Sequence, residues 1–315
     1  MSVALARVWS EMGHLVRVIT TTPGANLVQG VPVLRNPSVR EIWRATRWCD
    51  VCFHNNISLR WTWAPILALR PWVIAHQTWL TKADGRVGWQ ERLKRIVMRA
   101  GRSVAISHAV AAHLSGSVTI IPNAYDETVF RLPSEDQPRL KDLVFVGRFV
   151  SDKGGDVLIA AVASLGRQGI RPKLTMIGEG PDEDQWRKQS EDAGLEAQLR
   201  WTGALSGIAL ADELHRHDIM VVPSRWAEPF GIVALEGAAC GCVVVGSSAG
   251  GLSEAIGPSG ETFPNGDTGA LTKLLVRMLR GEFVRRQARI DAHLRDHQIG
   301  AVAKRYLDLF REVLK

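Results

Sequence analysis

The sequence predicts an α/β protein with two domains, each built on a doubly wound, mainly parallel β-sheet. Short runs rich in β-branched residues alternate with longer amphipathic segments, which is the rhythm of repeated β-α-β units. The 315 residues are enough for two ordinary domains, each with its own core. A polar, proline-containing stretch at 132–138 separates the runs into two series and predicts a linker between the domains.

The apolar runs have the length of strands, and turn-forming residues flank them. The predicted strands of the first series are 16–20, 31–34, 50–54, 72–76, 103–106 and 118–121. Those of the second series are 142–146, 173–177, 218–222 and 242–246. Val302, Tyr306 and Phe310 recur at helical spacing and predict a C-terminal helix. We therefore predict a first domain at 1–135, a second at 136–295 and a final helical segment at 296–315.

The composition is that of a soluble globular protein, with 46% hydrophobic and 23% charged residues. A net charge of +7 predicts an anionic partner, which could be nucleotide phosphates, nucleic acid or an acidic membrane surface. No helix-turn-helix or aromatic-basic sheet motif is present, so nucleic acid is the least favoured of the three. No apolar run has the length of a membrane span, and the first residues lead into an amphipathic helix instead of a signal peptide.

The four cysteines occur as two closely spaced pairs, Cys49-x-x-Cys52 and Cys240-x-Cys242. Such spacings are compatible with a zinc site, but each pair also fits the entry of a buried strand, where cysteine packs as a small hydrophobe. The second interpretation is favoured. Nothing indicates a disulfide scaffold, so a reducing cytoplasm is the expected location.

Two carboxylates near the C-terminus form the most informative motif. Glu228 lies in a loop punctuated by proline and glycine, and Glu236 follows eight residues later on a predicted helix. Eight helical residues rise about 12 Å and complete a little more than two turns, so both groups would face one cleft and contact different parts of a long ligand. Two helical glutamates at this spacing are, taken alone, more often a solvated face.

Several further elements accompany this motif in a fixed order. They are the Gly-Arg-x4-Lys-Gly stretch at 147–154, the glycine turns at 177–181 and 201–203, and the segments at 250–254 and 259–262. Together with Glu228 and Glu236, these elements resemble the retaining, nucleotide-sugar-dependent glycosyltransferases of family 4, which have the GT-B fold. The resemblance covers the C-terminal half of the chain.

The resemblance implies two Rossmann-like domains that face a cleft, with a last helix that crosses back to the first domain. It implies transfer of a hexose from a nucleoside diphosphate sugar, with retention of anomeric configuration. The donor would be held by the second domain and a saccharide or lipid-linked acceptor by the first. No metal ion and no other cofactor is implied, because Arg148 and Lys153 take the place of a divalent cation.

One departure from the family pattern concerns the N-terminus. Family members begin with a strand and a Gly-Gly loop, whereas this chain begins within the helix that follows them. In a doubly wound sheet the first strand is central, so its absence predicts a shortened or rearranged sheet unless the true start lies upstream. The missing loop also leaves open whether this chain is active.

The resemblance assigns roles to individual residues of the second domain. Arg148 and Lys153 would clamp the diphosphate, Glu236 would accept hydrogen bonds from the ribose hydroxyls, and Glu228 would lie near the donor sugar. The alternative for these four is an exposed turn or helix charge. The remaining donor-binding candidates are Gly147, Gly178, Gly180 and Pro181 in the glycine turns, and Phe230, Gly231, Ile232 and Val233 at a helix N-terminus.

In the first domain, His76 ends a predicted strand and matches a family histidine near the reacting sugar carbon, so it joins the catalytic candidates. Ser107 and Asn123 match family elements, but Asn123 is the better candidate for a turn former, because Ala124 and Tyr125 replace a Gly-Val pair. His14 fits a structural turn.

Residues 89–102 predict a basic amphipathic helix. Its apolar residues share one face, and Arg92, Lys94, Arg95 and Arg99 occupy much of the rest. This pattern fits an interfacial helix on anionic lipid, but a helix docked on its own domain with a solvated basic face is commoner. Eight of the eleven tryptophans precede residue 90, Trp89 among them, which favours an acceptor-side or membrane-side surface and a peripheral position at the inner face of the cell membrane.

The sequence thus predicts a cytoplasmic, metal-independent glycosyltransferase acting on a cell-envelope polysaccharide, lipopolysaccharide or glycolipid. Two alternatives stay open: a GT-B nucleotide-sugar epimerase or hydrolase, and a non-catalytic partner subunit that only binds a nucleotide sugar.

Overall fold

The computed structural model describes residues 2–28, 30–81, 88–133, 139 and 141–315. The chain divides into two compact units, one of Met1–Ala124 with Gln298–Lys315 and the other of Tyr125–His297. All strand pairs between described residues are parallel except one, which confirms the predicted fold class of parallel α/β structure. The predicted boundary at 135 and 136 and most of the predicted linker, 134–138, lie outside the described residues.

The first unit contains seven described strands and, ahead of the second unit, five described helices. Its strands are β1 Val18–Thr20, β2 Leu27–Val28, β3 Val31–Arg35, β4 Cys52–Asn55, β5 Trp72–His76, β6 Arg102–Ala105 and β7 Val118–Ile120. Its helices are α1 Ser2–Glu11, α2 Val39–Trp48, α3 Trp63–Leu67, α4 Trp89–Val97 and α5 His108–Ala111. The two-residue β2 is the strand that the sequence pattern missed.

The strands of this unit form two separate sheets. One has the order β1-β3-β2 and the other the order β4-β5-β6-β7. No described strand pairs with both β1 and β4, so the described strands of the first unit are divided between a three-stranded and a four-stranded sheet. β5 lies inside the four-stranded sheet, which explains why all five of its residues are buried.

The second unit is built on one six-stranded parallel sheet with the order β10-β9-β8-β11-β12-β13. Its strands are β8 Lys141–Val146, β9 Leu174–Ile177, β10 Leu199–Trp201, β11 His217–Val222, β12 Val243–Ser247 and β13 Gly260–Phe263. Its helices are α6 Gly155–Arg167, α7 Glu183–Asp192, α8 Gly207–Leu214, α9 Ile232–Ala239, α10 Leu252–Ile256, α11 Thr268–Leu279 and α12 Gln287–Asp296. The sequence pattern missed the outer strands β10 and β13, which carry shorter apolar runs.

An aromatic cluster fixes one face of this sheet. Trp186 of α7 is 1% exposed and packs against Phe145 and Phe149, with ring centroids 5.8 and 5.2 Å away. Phe145 is the penultimate residue of β8 and pairs with Val221 of β11, and Phe149 lies in the loop that follows β8. The cluster therefore stabilises the start of that loop as well as the sheet.

The last helix, α13 Ile299–Val313, packs within the first unit. Tyr306 and Phe310 contact Trp9 of α1 and Phe53 of β4, with ring centroids between 5.1 and 6.0 Å apart. The Trp9 indole N–H donates to the Ala303 carbonyl oxygen at 3.0 Å. The helical spacing of Val302, Tyr306 and Phe310 thus gives α13 an apolar face that completes the core of this unit.

Candidate functional site

The sequence motifs of the second unit meet at the carboxyl edge of its sheet. The loops that follow β8, β9 and β11 carry the predicted donor-binding residues, and these strands are neighbours in the order β9-β8-β11. Parallel strands place their carboxyl ends on one edge, where open α/β sheets bind their ligands. The sheet therefore brings residues that are far apart in the sequence to one edge of the unit.

Two glycines allow these loops to approach one another. Gly154 has φ of +67°, and a Cβ atom there would lie 2.0 Å from the Pro223 carbonyl oxygen. Gly178 has φ of +141°, and a Cβ atom there would lie 1.9 Å from the Gly147 carbonyl oxygen. Any other side chain would push the loops apart, so both positions require glycine for packing as well as for backbone conformation.

An ion pair forms the centre of the site. The Lys153 ammonium donates to Glu228 Oε1 at 2.6 Å, and the Ser224 hydroxyl donates to the same oxygen at 2.8 Å. Glu228 is only 9% exposed, whereas the Lys153 side chain is 32% exposed. A cation thus reaches solvent at the carboxyl edge while a buried carboxylate holds it in place.

Arg148 lies in the same loop as Lys153 but has different surroundings. Its side chain is exposed and makes no hydrogen bond or ion pair with any residue that the structure describes. Its neighbour Gly147 is fixed by donation from its backbone N–H to the Ile177 carbonyl oxygen at 3.0 Å. The loop therefore presents one cation held by Glu228 and one with its charge directed to solvent.

Backbone hydrogen bonds and a second ion pair hold the β11 loop against the β8 loop. The Asp152 carbonyl oxygen accepts from the backbone N–H groups of Arg225 and Trp226 at 2.8 and 3.3 Å. The Arg225 guanidinium pairs with the Asp156 carboxylate at the start of α6. Asn265 completes the frame, because its amide donates to the Trp226 carbonyl oxygen at 3.2 Å and its Oδ1 accepts from Ala249 N–H at 2.8 Å.

Sequence reasoning gave no role to the residues that support this frame. Ser224 and Arg225 belong to the stretch around Glu228, and the four-residue spacing of Ser224 and Glu228 is the only sequence signal for their contact. Asn265 lies in a Pro-Asn-Gly turn, a pattern that predicts a turn and no particular contact. The backbone of Glu228 also pairs with Gly250, which brings the 250–254 element to the site.

The glycine turn after β9 packs against the loop after β8. The backbone N–H of Phe149 donates to the Glu179 carbonyl oxygen at 2.9 Å. Gly180 lies so close to Phe149 that a Cβ atom would be 2.4 Å from its carbonyl oxygen. Pro181 is exposed beside this contact. The loop after β8 and the turn after β9, which both carry predicted donor-binding residues, are therefore in contact. Their role in donor binding stays a prediction.

Helix α9 begins next to Glu228. Gly231 is its N-terminal cap, Ile232 and Val233 form its first turn, and Phe230 before it is buried and stacks on His297 with ring centroids 5.8 Å apart. The first backbone N–H groups of a helix have no acceptor within that helix, so this end can receive an anion.

Glu236 lies in the second turn of α9 and is half-buried. Burial raises the pKa of its carboxyl group to about 7, and the nearby negative charge of Asp126 adds to the shift. The interpretation as an ordinary exposed helix glutamate is therefore wrong. No cation among the described residues offsets this shift.

His76, Ser107 and Asn123, the first-unit residues that match family elements, are buried. His76 is 2% exposed at the end of β5, its Nε2 lies 3.3 Å from Ser103 Oγ, and burial lowers its pKa to about 4. Its imidazole is therefore neutral near pH 7. Ser107 caps α5 by accepting from the Val110 N–H at 3.1 Å, and Asn123 is also buried. Whether His76 contacts a sugar stays a prediction.

Helix α4 exposes most of the apolar face that the commoner expectation buries, although Val97 packs against the core of the unit. It ends at Val97, earlier than predicted, and a short 3₁₀ turn, Met98–Ala100, leads into β6. Trp89, Leu93 and Ile96 are 71%, 39% and 62% exposed, whereas Glu91 is 8% exposed and accepts from the Gly88 N–H. The interpretation of a helix docked by its apolar face is thus wrong for these three residues.

The basic residues of α4 flank this apolar row. Arg92 is exposed on the helix, and Arg99 is exposed in the turn that follows it. Lys94 and Arg95 are half-buried, and Lys94 lies 3.9 Å from Glu91. The outward surface of α4 is therefore both apolar and positively charged.

Neither a metal-binding cluster nor a membrane-spanning helix occurs among the described residues. Among them no cluster of three or more His, Cys, Asp or Glu residues could hold a metal ion. In the same part of the chain no helix is both long and apolar enough to cross a membrane.

Comparison with known proteins places the chain among glycosyltransferases. The model of the family described as glycosyl transferases group 1 matches residues 128–295. Over 141 residues the chain is 38% identical to glycogen synthase of Mycobacterium tuberculosis, covering 44% of this chain and 34% of that protein. Over 225 residues it is 31% identical to phosphatidyl-myo-inositol mannosyltransferase of Mycobacterium leprae, covering 69% of this chain and 54% of that protein. The chain thus spans from a third to about half of these two relatives.

Solved structures match over almost the whole chain. The crystal structure of Anabaena HepE in complex with UDP and glucose has a TM-score of 0.78 at 18% identity, covering 98% of this chain and 95% of that one. A glycosyltransferase from Rickettsia africae has a TM-score of 0.81 at 16% identity, covering 100% of this chain and 94% of that one. At such identities the likeness shows the fold, and it confirms the predicted GT-B glycosyltransferase fold.

Proposed function

Because the chain belongs to the glycosyl transferases group 1 family, we propose that it transfers a hexose from a nucleoside diphosphate sugar to a cell-envelope saccharide or glycolipid. The observation that carries this proposal is the cation pair Arg148 and Lys153 at the carboxyl edge of the second unit's sheet, with Glu228 holding Lys153. The relative in Mycobacterium leprae is a mannosyltransferase by name, and Anabaena HepE was crystallised with UDP and glucose. The first supports transfer of a hexose, and the second supports a nucleoside diphosphate sugar as the donor.

The proposed reaction proceeds with retention and without a metal ion. The bond between the sugar carbon and the diphosphate oxygen breaks, and the acceptor hydroxyl oxygen bonds to that carbon on the same face. The proton of the acceptor passes to the leaving diphosphate. Arg148 and Lys153 stabilise the negative charge that develops there, and such fixed charges lower a barrier by several kcal/mol. The exposed Arg148 and the partly exposed Lys153 support this assignment.

We expect one nucleoside diphosphate to raise the melting temperature of the purified chain above the others in a series of UDP, GDP, ADP and CDP. A ligand that binds only the folded state adds about 2.7 kcal/mol at a hundred times its Kd. EDTA should leave the shift unchanged, because side-chain cations hold the diphosphate. A folded sample with no shift for any nucleotide would contradict the proposed donor site, and a shift that EDTA abolishes would contradict metal independence.

The proposal includes an anionic membrane as a partner of α4. Its exposed Trp89, Leu93 and Ile96 form an apolar row, and Arg92 and Arg99 add positive charge beside it. Tryptophan and arginine in this arrangement favour the boundary between lipid headgroups and acyl chains. A lipid-linked acceptor would be within reach of a protein bound to the membrane in this way.

We expect the double variant Trp89→Ser, Ile96→Ser to bind anionic vesicles at least about tenfold more weakly, since burying one such side chain contributes about 1.5–3 kcal/mol. Co-sedimentation with phosphatidylglycerol vesicles measures this, with phosphatidylcholine vesicles as the neutral comparison. Leu67→Ser is the matched control, because Leu67 is 67% exposed on α3. Equal losses for the control and the double variant would exclude α4 as the binding surface.

A further inference from the structure

Two cysteines of the first unit lie in contact outside the proposed site. Cys49 caps the C-terminal end of α2, and Cys52 is the first residue of β4. Their sulfur atoms are 3.3 Å apart, and both residues are half-buried. A disulfide bond is about 2.05 Å long, so the sulfurs must approach by about 1.3 Å to form one. The turn between α2 and β4 already places the two side chains side by side.

The hydrogen bond between the two thiols shifts their pKa values in opposite directions, whereas the Arg70 guanidinium lowers the pKa of both. The hydrogen bond from Cys52 lowers the pKa of Cys49, and the Arg70 guanidinium lowers it further, against the opposing effects of burial and Asp50. Arg70 is held near by donating to the Arg47 carbonyl oxygen at 2.6 Å. The pKa of Cys52 is raised, chiefly because its proton is shared with Cys49. With the shared proton on Cys52 Sγ, Cys49 is the better candidate for the attacking thiolate and Cys52 for the thiol that follows.

The other two cysteines provide an internal comparison. Cys240 and Cys242 are fully buried, and burial raises the pKa of both, that of Cys242 to about 11. Deeply buried thiols with raised pKa values react slowly. The same chain thus contains one accessible thiol pair and one buried pair.

We propose that Cys49 and Cys52 are a redox modification site that closes reversibly to an intramolecular disulfide when the protein meets a small disulfide oxidant. The Cys49 thiolate attacks a sulfur of the oxidant, forming a mixed disulfide and releasing one thiolate. Cys52 then loses its proton and attacks Cys49 Sγ, which releases the second thiolate. Two electrons pass from the protein sulfurs to the oxidant, and the two protein thiol protons are available to the two released thiolates.

The disulfide would tie the end of α2 to the start of β4. β4 pairs in parallel with β5, the strand that ends at His76. Oxidation would therefore fix the segment that enters the four-stranded sheet of the first unit. The disulfide would form whether or not the protein transfers a sugar.

Oxidised glutathione and intact-mass measurement test this inference on the wild-type chain. We expect the mass to fall by two hydrogen atoms, Cys49 and Cys52 to become resistant to alkylation, and one peptide pair to be linked through these residues. Dithiothreitol should reverse all three changes. Full alkylation of both cysteines after oxidation would overturn the inference, as would a disulfide to Cys240, to Cys242 or between two chains.

The matched variants Cys52→Ser and Cys49→Ser test the order of attack. Cys52→Ser should accumulate one glutathione on Cys49, because the second thiol is gone. Cys49→Ser should remain largely unmodified in the same time. A faster adduct on Cys52 than on Cys49 would contradict the assigned roles. Circular dichroism confirms that each variant is folded, and the wild-type measurement stands without them.

Discussion

Lys153→Ala is expected to lower kcat by about 10²–10³-fold, the usual effect of removing one group that stabilises developing negative charge. It should also weaken binding of the nucleoside diphosphate by about tenfold or more, while binding of the nucleoside is unchanged, because a hydrogen bond to a charged group contributes about 1.5–3 kcal/mol. The structure provides the reason: Lys153 extends from the loop after β8 with its ammonium fixed by Glu228. Calorimetry with nucleoside and nucleoside diphosphate measures the difference directly.

The same substitution has a second effect on the ligand-free protein. Glu228 is nearly buried, and its carboxylate accepts from the Lys153 ammonium at 2.6 Å and from the Ser224 hydroxyl at 2.8 Å. Of these two donors, only the Ser224 hydroxyl remains after the substitution. A buried charge that loses its counter-ion destabilises the folded state. The double variant Lys153→Ala, Glu228→Gln should therefore recover free energy of unfolding without recovering diphosphate affinity. Recovery of both would mean that Lys153 only stabilises the fold.

Arg148→Ala provides the complementary measurement. Because the Arg148 side chain contacts no described polar partner, its loss should leave the free energy of unfolding unchanged while diphosphate affinity falls. Ser224→Ala is the control, because it removes a hydrogen-bond donor to Glu228 and no cation. It should lower the free energy of unfolding and leave diphosphate affinity largely unchanged. If Arg148→Ala weakens binding of the nucleoside and of the nucleoside diphosphate equally, Arg148 does not contact the diphosphate.

The sequence was sufficient to predict that the loops after β8 and β9 lie at one edge of the sheet. Residues 147–154 and 177–181 follow apolar runs that are recognisable as strands, and parallel strands bring such loops to one edge. The Lys153–Glu228 ion pair could not be read in this way. The two residues are 75 positions apart, and their contact depends on how Gly154 lets the β11 loop approach.

The orientation of α4 shows where pattern reasoning fails in physical terms. Periodicity identifies an apolar face, and burial of that face is the usual consequence. Here Glu91 is buried and accepts from the N–H at the start of its own helix, whereas Trp89 and Ile96 are exposed. The pattern specifies the two faces of a helix, whereas its tertiary surroundings decide which of them meets solvent.

Glu236 leads to the second prediction of large effect, a dependence of donor binding on pH. In the proposed donor site, ribose hydroxyls would donate to the ionised carboxylate, and burial and Asp126 hold the pKa of Glu236 at about 7 in the free protein. Binding must therefore release a proton below that pH, so affinity should fall by about tenfold for each unit below pH 7 and reach a plateau above it. A nucleoside diphosphate sugar is the proper ligand, because its phosphates do not titrate near neutrality.

The variants of Glu236 separate this effect from other titrations. Glu236→Gln should lose the pH dependence while keeping an acceptor, and Glu236→Ala should also lose discrimination between ribose and 2′-deoxyribose.

The raised pKa of Glu236 has the opposite effect on stability, because the free energy of unfolding decreases as the pH rises. A carboxyl group whose pKa rises from 4.5 to about 7 on folding favours the folded state when neutral. This contribution is complete below pH 4.5 and is lost as the pH rises through about 7. The wild type should therefore lose free energy of unfolding relative to Glu236→Gln across this interval. Equal stability profiles and unchanged pH dependence in the variant would together show that Glu236 neither titrates near 7 nor contacts the ribose.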